Sequence, residues 1–224
     1  MGIIGIHKKF FIAGTDTGVG KTHVACQIIH YLADHGEEVG IFKPIETGIT
    51  SEERSDAFLL RKAAHSDAPI ALISPYRFKS SAAPRVASQK EKREINIRKI
   101  LTLFTQIALN HDWVIVEGAG GLLVPIRRKF LMADLILSLQ LPMILVSCNR
   151  LGTINHTLLS IDFARRHGIE ILAVILNQKE KESGFSSIRA NKRMIEENCD
   201  IPVLPYQISM TNYRKNLFWK RLLD

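Results

Sequence analysis

A glycine-rich stretch near the start of the chain has the composition of a phosphate-binding loop. Residues 14–22 read GTDTGVGKT, follow a short apolar run and precede an amphipathic segment. Glycines let backbone N–H groups wrap closely around an anion, and the first turn of a helix adds further free N–H groups. In such a loop Lys21 would reach the terminal phosphates of a nucleotide, and the Thr22 hydroxyl would coordinate Mg²⁺. A strict P-loop has glycine at position 15, so Thr15 indicates a variant of that loop.

A carboxylate and a lysine at the ends of two later apolar runs would complete such a site. Residues 114–121 read VIVEGAGG and place Glu117 where a strand runs into a glycine-rich turn, and residues 42–48 read FKPIETG and place Lys43 at another strand end. Ligands of open α/β sheets bind beyond the carboxyl ends of the strands. Glu117 would therefore be a metal ligand, and Lys43 would neutralise charge on a transferring phosphoryl group. Alternatively, Lys43 is a solvated lysine, because most lysines lie at the surface.

Two predicted helix starts carry polar residues that allow more than one interpretation. Asp56 follows Ser55 and is either a second carboxylate for Mg²⁺ or part of a helix cap. Residues 151–156 read LGTINH and begin another helix after a glycine, so that their N–H groups would form a second anion site. His156 has the chemistry of a general base, but its position among apolar helix residues favours a structural role at the helix start.

Short apolar runs alternate with longer amphipathic segments along the chain. We predict strands at 10–13, 39–43, 113–117, 143–147 and 171–177, and helices at 22–35, 56–65, 95–110 and 154–167. Continuous apolar runs are typical of parallel strands that are covered on both faces. The alternation predicts an α/β fold, with a single-domain, doubly wound, mostly parallel sheet and helices on both faces. We treat residues 1–224 as one domain.

The stretch 74–94 is the least periodic part of the sequence. It contains two prolines and the mixed charge cluster KEKRE at 90–94. Mixed charges of this kind are usually a solvated loop face. Because the segment is long and irregular, it is also a candidate for a substrate loop.

The composition limits the classes of protein to which the chain can belong. It has 224 residues, 46% of them apolar, and its 30 Lys and Arg residues outnumber its 22 Asp and Glu residues, which gives a formal charge of +8. This balance indicates a folded core, and the charge would attract nucleic acid, a membrane surface or a small anion. The three cysteines have no CxxC spacing, and the apolar runs are too short for a signal peptide or a membrane span. We therefore expect buried thiols and a cytoplasmic location.

Taken together, the motifs resemble those of the dethiobiotin synthetase family. The resemblance is carried by GTDTGVGKT, KPIETG, RSDA, VEGAGG and LGTINH, in that order, between about residues 10 and 177. It implies a P-loop NTPase-type ligase that uses ATP and Mg²⁺ to convert 7,8-diaminopelargonate and CO₂ or bicarbonate into dethiobiotin, in biotin biosynthesis. The reaction would proceed through a carbamate and a carbamic-phosphoric anhydride. The resemblance also implies a homodimer with an active site shared between the subunits.

The resemblance further implies roles for individual residues. The catalytic residues would be Lys43 and Lys21, and the magnesium ligands Thr22, Asp56 and Glu117. The ATP-binding residues would be Gly18, Val19, Gly20, Lys21, Thr22, His23, Asp56, Glu117, Gly118, Ala119, Gly120, Asn177, Gln178, Pro205, Tyr206 and Gln207. The substrate-binding residues would be Thr15, Thr47, Gly152, Thr153, Ile154 and Asn155. Gln178 departs from the family pattern, which often has aspartate there, so the preference for a nucleotide base stays open.

Two alternative functions make different demands on the sequence. A related P-loop ATPase, either an amidotransferase-type ligase or a MinD/ParA-like partitioning ATPase, usually has a lysine where this chain has Asp16, and it needs no KPIETG element. A basic nucleic-acid-binding module would gather its basic residues on one recognition element, whereas here they are scattered. The amphipathic C-terminal stretch 215–223 is expected to be a helix docked on the domain rather than one lying on a membrane surface. We therefore expect neither nucleic acid nor a membrane as partner.

Overall fold

A computed structural model describes residues 7–178, 187–207 and 212–223. The strands of this part of the chain are β1 (Lys9–Gly14), β2 (Val39–Phe42), β3 (Ile45–Thr47), β4 (Tyr76–Phe78), β5 (Trp113–Gly121), β6 (Pro125–Arg127), β7 (Phe130–Leu131), β8 (Met143–Cys148), β9 (Ile171–Gln178) and β10 (Val203–Gln207). The helices are α1 (Lys21–Asp34), α2 (Asp56–Ala63), α3 (Ile70–Ile73), α4 (Pro84–Lys90), α5 (Ile97–Asn110), α6 (Met132–Leu139), α7 (Thr153–Arg166), α8 (Ile188–Glu196) and α9 (Asn212–Leu223).

Six of these strands form one parallel sheet in the order β2-β5-β1-β8-β9-β10. Strand β1 lies near the middle, so the loop that follows it opens at the centre of the carboxyl edge. From β1 the chain crosses to β2 at one edge, returns to β5 beside β1, and then moves outward through β8, β9 and β10 on the other side. Strands therefore lie on both sides of β1, as in a doubly wound sheet. The predicted α/β fold class is confirmed.

Helices cover both faces of the sheet because side chains alternate along each strand. In β1, Phe10 and Ile12 pack on one side with apolar residues of α1, α2 and α9, whereas Phe11 packs on the other side with α5, α6, α7 and α8. These three side chains have no exposed surface. Complete burial of each contributes about 1.5–3 kcal/mol to folding, so the core itself fixes the strand that precedes the glycine-rich loop.

The predicted central strands are all present, but two features of the prediction are wrong. Strand β5 continues four residues past Glu117, because its glycines stay in the sheet and Gly121 pairs with Gly14 of β1. The stretch 74–94 is not a plain loop, since it contains β4 and α4. Strand β4 pairs in parallel with β3, and both are three residues long, too short to show a period in the sequence.

The C-terminal helix α9 docks on the sheet as predicted. Trp219, Leu222 and Leu223 are buried, and the Trp219 ring lies 5.1 Å from the ring of Tyr206 on β10. Among the described residues, no helix has the length and apolar character needed to cross a bilayer.

The prediction of three buried thiols is correct only for Cys199. All three cysteines are free, but Cys26 and Cys148 are half-buried. Cys148 is the last residue of β8 and lies at the open carboxyl edge, and Cys26 is a residue of α1 that packs against the border of the core.

Candidate active site

The glycine-rich loop connects β1 to α1 and turns tightly around a buried lysine. Gly18 and Gly20 have φ values of +73° and +99°, in the left-handed region that favours glycine. Lys21 is the first residue of α1, and its Nζ donates to the backbone oxygen of Asp16 at 3.0 Å. A Cβ on Gly14 would lie only 2.9 Å from the same backbone oxygen of Asp16, so a glycine is needed there. The loop thus holds a lysine ammonium beside the amino end of a 14-residue helix.

The charge of Lys21 is poorly stabilised in the protein alone. Burial and repulsion by Lys43 lower the pKa of the Lys21 ammonium to about 8. An anion bound at this place would restore the charged form, because opposite charge favours the ammonium.

Three oxygen atoms converge at the start of α1. The Thr22 Oγ1 lies 2.9 Å from Asp56 Oδ1 and 2.8 Å from Glu117 Oε1. A hydroxyl has a single hydrogen and donates to only one of these carboxylates at a time. In addition, Glu117 Oε2 is buried without a hydrogen-bond partner among the described residues. A cation would satisfy these oxygens, and one hydroxyl with two carboxylates suits Mg²⁺.

Lys43 bridges the same two carboxylates from the end of β2. Its Nζ lies 2.8 Å from Asp56 Oδ2 and 2.7 Å from Glu117 Oε1, and it donates to the backbone oxygen of Gly118 at 3.0 Å. Lys43 is only 2% exposed. The alternative of a solvated lysine is therefore wrong.

The charges of this cluster depend on one another. Burial alone would lower the pKa of Lys43, but the two carboxylates outweigh burial and raise it, so the ammonium stays charged. For Asp56, burial raises the pKa, yet the charge and hydrogen bond of Lys43, the hydrogen bond from Thr22 and the charge of Lys21 together outweigh burial, and the net shift is downward. The completely buried Glu117 keeps a raised pKa, because burial and the charge of Asp56 prevail over Lys43. Positive charge beside Glu117 therefore stabilises its ionised form.

The cap at the start of α2 leaves the Asp56 carboxylate available to this cluster. The Ser55 Oγ accepts the N–H of Phe58 at 3.2 Å and is the capping side chain. Glu46 accepts the N–H groups of Asp56 at 2.5 Å and Ala57 at 3.3 Å. The sequence patterns did not predict a role for Glu46, although it lies inside the same KPIETG element as Lys43. Burial and the charge of Asp56 raise the pKa of Glu46.

A cleft of about 660 Å³ opens above these groups. The predicted residues that line it are Gly18, Gly20, Lys21, Thr22, Lys43, Thr47, Asp56, Glu117, Ala119 and Gly120. Further lining residues to which the sequence analysis gave no role include Glu46, Ser81, Ala82, Ala83, Pro84 and Val124. Residues 81–84 belong to the stretch 74–94, which therefore reaches the cleft. Gly118 is packed too tightly for a side chain, since a Cβ there would lie 2.6 Å from the ring of Phe11.

A second group of predicted residues lies at the ends of β9 and β10, beside the start of α1. The Asn177 Nδ2 donates to the backbone oxygen of Val19 at 2.9 Å, and its Oδ1 is buried without a partner among the described residues. The hydroxyl of Tyr206 lies 3.4 Å from His23 Nε2. Register pairs in the sheet place the rest of the group on these strand ends: Gln178, Pro205 and Gln207. This group lies outside the lining of the 660 Å³ cleft.

A third group surrounds the start of α7. The Thr15 Oγ1 lies 3.4 Å from Ser147 Oγ, which lies 2.9 Å from Thr153 Oγ1. Thr153 is buried and uses its hydroxyl inside the protein, whereas Gly152 and Asn155 are exposed and Ile154 is half-buried. These residues also lie outside the lining of the cleft.

An ion pair ties the glycine-rich loop to the segment before α7. The Asp16 carboxylate lies 2.7 Å from Arg150 Nη2 and accepts the N–H of Thr17 at 2.7 Å. The hydrogen bond from Thr17 and the charge of Arg150 lower the pKa of Asp16 despite partial burial. His156 lies exposed in the first turn of α7 and donates its backbone N–H to Gly152.

The parallel sheet and the loop after its central strand define a P-loop NTPase-type α/β protein. A family model described as an AAA domain matches residues 8–212. The MinC:MinD complex of Aquifex aeolicus has a TM-score of 0.53, with 16% identity, over 96% of this chain and 86% of that chain. A ParA family ATPase from Chlorobium tepidum TLS has a TM-score of 0.52, with 14% identity, over 95% and 88%. At these identities the likeness concerns the fold.

Curated relatives identify the particular family. The ATP-dependent dethiobiotin synthetase BioD of Bacillus subtilis (strain 168) is 37% identical over 209 residues, 93% of this chain and 90% of the relative. The enzyme of the same name from Methanococcus vannielii is 36% identical over 208 residues, 93% of this chain and 95% of the relative. The chain belongs to the dethiobiotin synthetase family and is an ATP-dependent ligase. The resemblance inferred from the motifs is confirmed.

Proposed function

We propose that this protein uses ATP to carboxylate 7,8-diaminopelargonate and to close its ureido ring, forming dethiobiotin. Membership of the family supports the reaction. The observation that carries the assignment to this cleft is the convergence of Thr22, Asp56 and Glu117 around the Lys43 ammonium. This cluster adjoins a buried lysine and a helix start, which suit a nucleotide triphosphate.

The proposed reaction has three bond-forming steps. CO₂ adds to the N7 amine, and the amine loses one proton to give a carbamate. A carbamate oxygen attacks the γ-phosphorus of ATP, and the bond to the bridging oxygen breaks to release ADP. The second amine attacks the carbonyl carbon of the resulting anhydride, and phosphate leaves as that amine loses a proton.

The residues of the chain would act by binding and by electrostatic stabilisation. Lys21 and the N–H groups at the start of α1 would hold the terminal phosphates. Lys43 would face the carbamate oxygen and the transferring phosphoryl group, where its charge opposes the growing negative charge. Mg²⁺, held by Thr22, Asp56 and Glu117, would neutralise phosphate charge when it is bound. The substrate amine serves as the nucleophile, so a serine or cysteine nucleophile is not required.

The group at the ends of β9 and β10 is proposed to bind the base of ATP. The Asn177 Oδ1 is a buried acceptor without a partner among the described residues, and it would accept a hydrogen from the amino group of adenine. Pro205, Tyr206 and Gln207 would flank the base from β10, with His23 and Gln178 beside it.

We also propose a homodimer in which the start of α7 serves the partner's cleft. Thr15 and Thr47 would contact the diamine from within one subunit, and residues 152–155 would receive the substrate carboxylate of the other. The separation of 152–155 from the lining of the cleft supports this arrangement. Leu151 and Leu159 are also exposed, at 82% and 60%, and a dimer contact would cover them. A fully active monomer would contradict it.

Phosphate release with one component omitted at a time tests the proposed function. The purified protein should release phosphate only when 7,8-diaminopelargonate, bicarbonate and MgATP are all present. The Lys43→Met variant serves as a control for contaminating phosphatases. ATP hydrolysis that does not respond to the diamine, as the only activity, would instead indicate a related P-loop ATPase.

A further inference from the structure

Two histidines and an aspartate form an exposed cluster away from the cleft. His30 and Asp34 lie one turn apart on α1, and the His30 Nε2 is 3.6 Å from Asp34 Oδ2. His65 follows the end of α2, and its ring centroid lies 5.9 Å from that of His30. One ligand atom of each residue lies within 4.8 Å of the other two. Helices α1 and α2 therefore bring three metal-ligating side chains to one point.

The geometry of the cluster suits a small transition-metal ion. Bonds of about 2.0–2.2 Å to nitrogen and carboxylate oxygen place neighbouring ligands of a tetrahedral ion about 3.3–3.5 Å apart. His30 and Asp34 are already close to that separation. His65 needs only a small side-chain rotation, which is inexpensive because all three residues are exposed. Mg²⁺ prefers oxygen ligands, so two imidazoles favour Zn²⁺ and related ions instead.

The backbone holds His65 in place for this contact. Its φ of +48° lies in the left-handed region, at a position after a helix where glycine is the usual residue. Its N–H donates to Lys62, and the N–H of Ser66 donates to Arg61, so the turn is closed by two backbone hydrogen bonds. The direction of the His65 side chain is therefore set by the turn and not by a flexible loop.

We propose that His30, Asp34 and His65 form a binding site for Zn²⁺ or a closely related transition-metal ion. Water would complete the coordination, because three protein ligands leave one tetrahedral position open. The ion would join the carboxyl end of α1 to the turn after α2. These two helices begin at Lys21 and Asp56, so the site ties together two elements that frame the cleft.

A zinc titration of untagged protein tests the site. The experiment uses a chromophoric zinc competitor and excess Mg²⁺, which occupies oxygen sites. Wild-type protein should bind one Zn²⁺ per chain, and His30→Ala and His65→Ala should each weaken its affinity at least tenfold. The matched control is His167→Ala, an exposed histidine at the end of α7 outside the cluster. Its affinity should equal that of the wild type.

Thermal unfolding provides a second measurement that does not depend on activity. Zn²⁺ should raise the Tm of the wild type and of His167→Ala by several degrees, because only the folded chain brings the three ligands together. It should leave the Tm of His65→Ala unchanged, while all variants without metal should unfold near the wild-type temperature. Undiminished zinc affinity in His30→Ala and His65→Ala, or no zinc binding by the wild type, would overturn the proposal.

Discussion

The ammonium of Lys43 and the carboxylate of Glu117 lie 2.7 Å apart at the carboxyl edge of the sheet, and both side chains are almost completely buried. Asp56 contacts the same ammonium at 2.8 Å. Without this lysine the two carboxylates would repel each other in a poorly solvated place. Removing one partner of a buried ion pair costs about 3–5 kcal/mol, so Lys43 has a structural task in addition to the catalytic one proposed for it.

Replacing Lys43 with methionine removes the charge and keeps most of the side-chain volume. We expect kcat to fall about 100-fold or more, because the transferring phosphoryl group loses its nearest positive charge. The Tm should fall as well. Steady-state phosphate release and thermal unfolding measure the two effects. Lys62→Met, on the exposed side of α2, is the control, and near-normal turnover of Lys43→Met would exclude its proposed role.

Replacing Glu117 with glutamine should raise the Mg²⁺ concentration needed for half-maximal activity about tenfold or more. The substitution keeps the size of the side chain but removes a charged ligand, and Mg²⁺ prefers carboxylates. The measurement is activity against free Mg²⁺ at saturating ATP. Glu52→Gln, an exposed carboxylate paired with Arg77, should behave like the wild type. An unaltered Mg²⁺ dependence would remove Glu117 from the metal site.

Nucleotide binding should be coupled to proton uptake by Lys21. Because its pKa is about 8, most of the Lys21 side chain is a neutral amine at pH 8.5, and a bound triphosphate would restore the charged ammonium. We expect uptake of about 0.7 proton at pH 8.5 and about 0.1 at pH 7. Calorimetry in buffers of different ionisation enthalpy measures it. Uptake that does not change between these pH values would show that Lys21 is not the group that binds the proton.

The lowered pKa of Lys21 should also change how the unfolding free energy depends on pH when no nucleotide is bound. The lysine binds its proton more weakly in the folded chain than in the unfolded chain, where the pKa is near 10.5. Between pH 8 and 10.5 the unfolded chain therefore holds more protons at this group, and its contribution to the unfolding free energy rises with pH. Below pH 8 the cost of burying the charge is fully present. Denaturant unfolding of wild type and Lys21→Met across this range isolates the contribution, and parallel pH curves would show that it is absent.

Glu46 should act as a positioning residue for Asp56. Glu46→Ala removes the acceptor of two N–H groups at the start of α2, which we expect to lower the unfolding free energy by about 1–2 kcal/mol. It should also raise the Mg²⁺ requirement, because Asp56 is no longer fixed. Glu46→Gln keeps one oxygen acceptor and should restore most of both properties. If Glu46→Ala lowers stability but leaves the Mg²⁺ requirement unchanged, the role is only structural.

The glycine-rich loop and the ends of β2 and β5 could be predicted from the sequence because each motif is continuous. The carboxyl ends of parallel strands share one edge, so Lys43 and Glu117 had to meet near Lys21. The contact of Glu46 with α2 could not be predicted in this way. It depends on the pairing of β3 with β4, and three-residue strands carry too few side chains to show a period.

The order of the strands in the sheet also could not be predicted from the sequence patterns. Asn177 reaches the backbone of Val19 only because β9 and β10 lie on the same side of β1 as β8. Helix α8 and strand β10 were not predicted, because they are short and follow one another within a polar stretch. Their placement brings Tyr206 beside His23, although the two residues are far apart in the sequence.

Incorporation of ¹³C-bicarbonate into product, measured by mass spectrometry with ADP quantified in the same sample, tests the central proposal most directly. We expect dethiobiotin that carries one ¹³C in its ureido carbonyl, in a one-to-one ratio with ADP, and only when the diamine is present. ADP formation without labelled dethiobiotin, or labelled product without ATP, would contradict it.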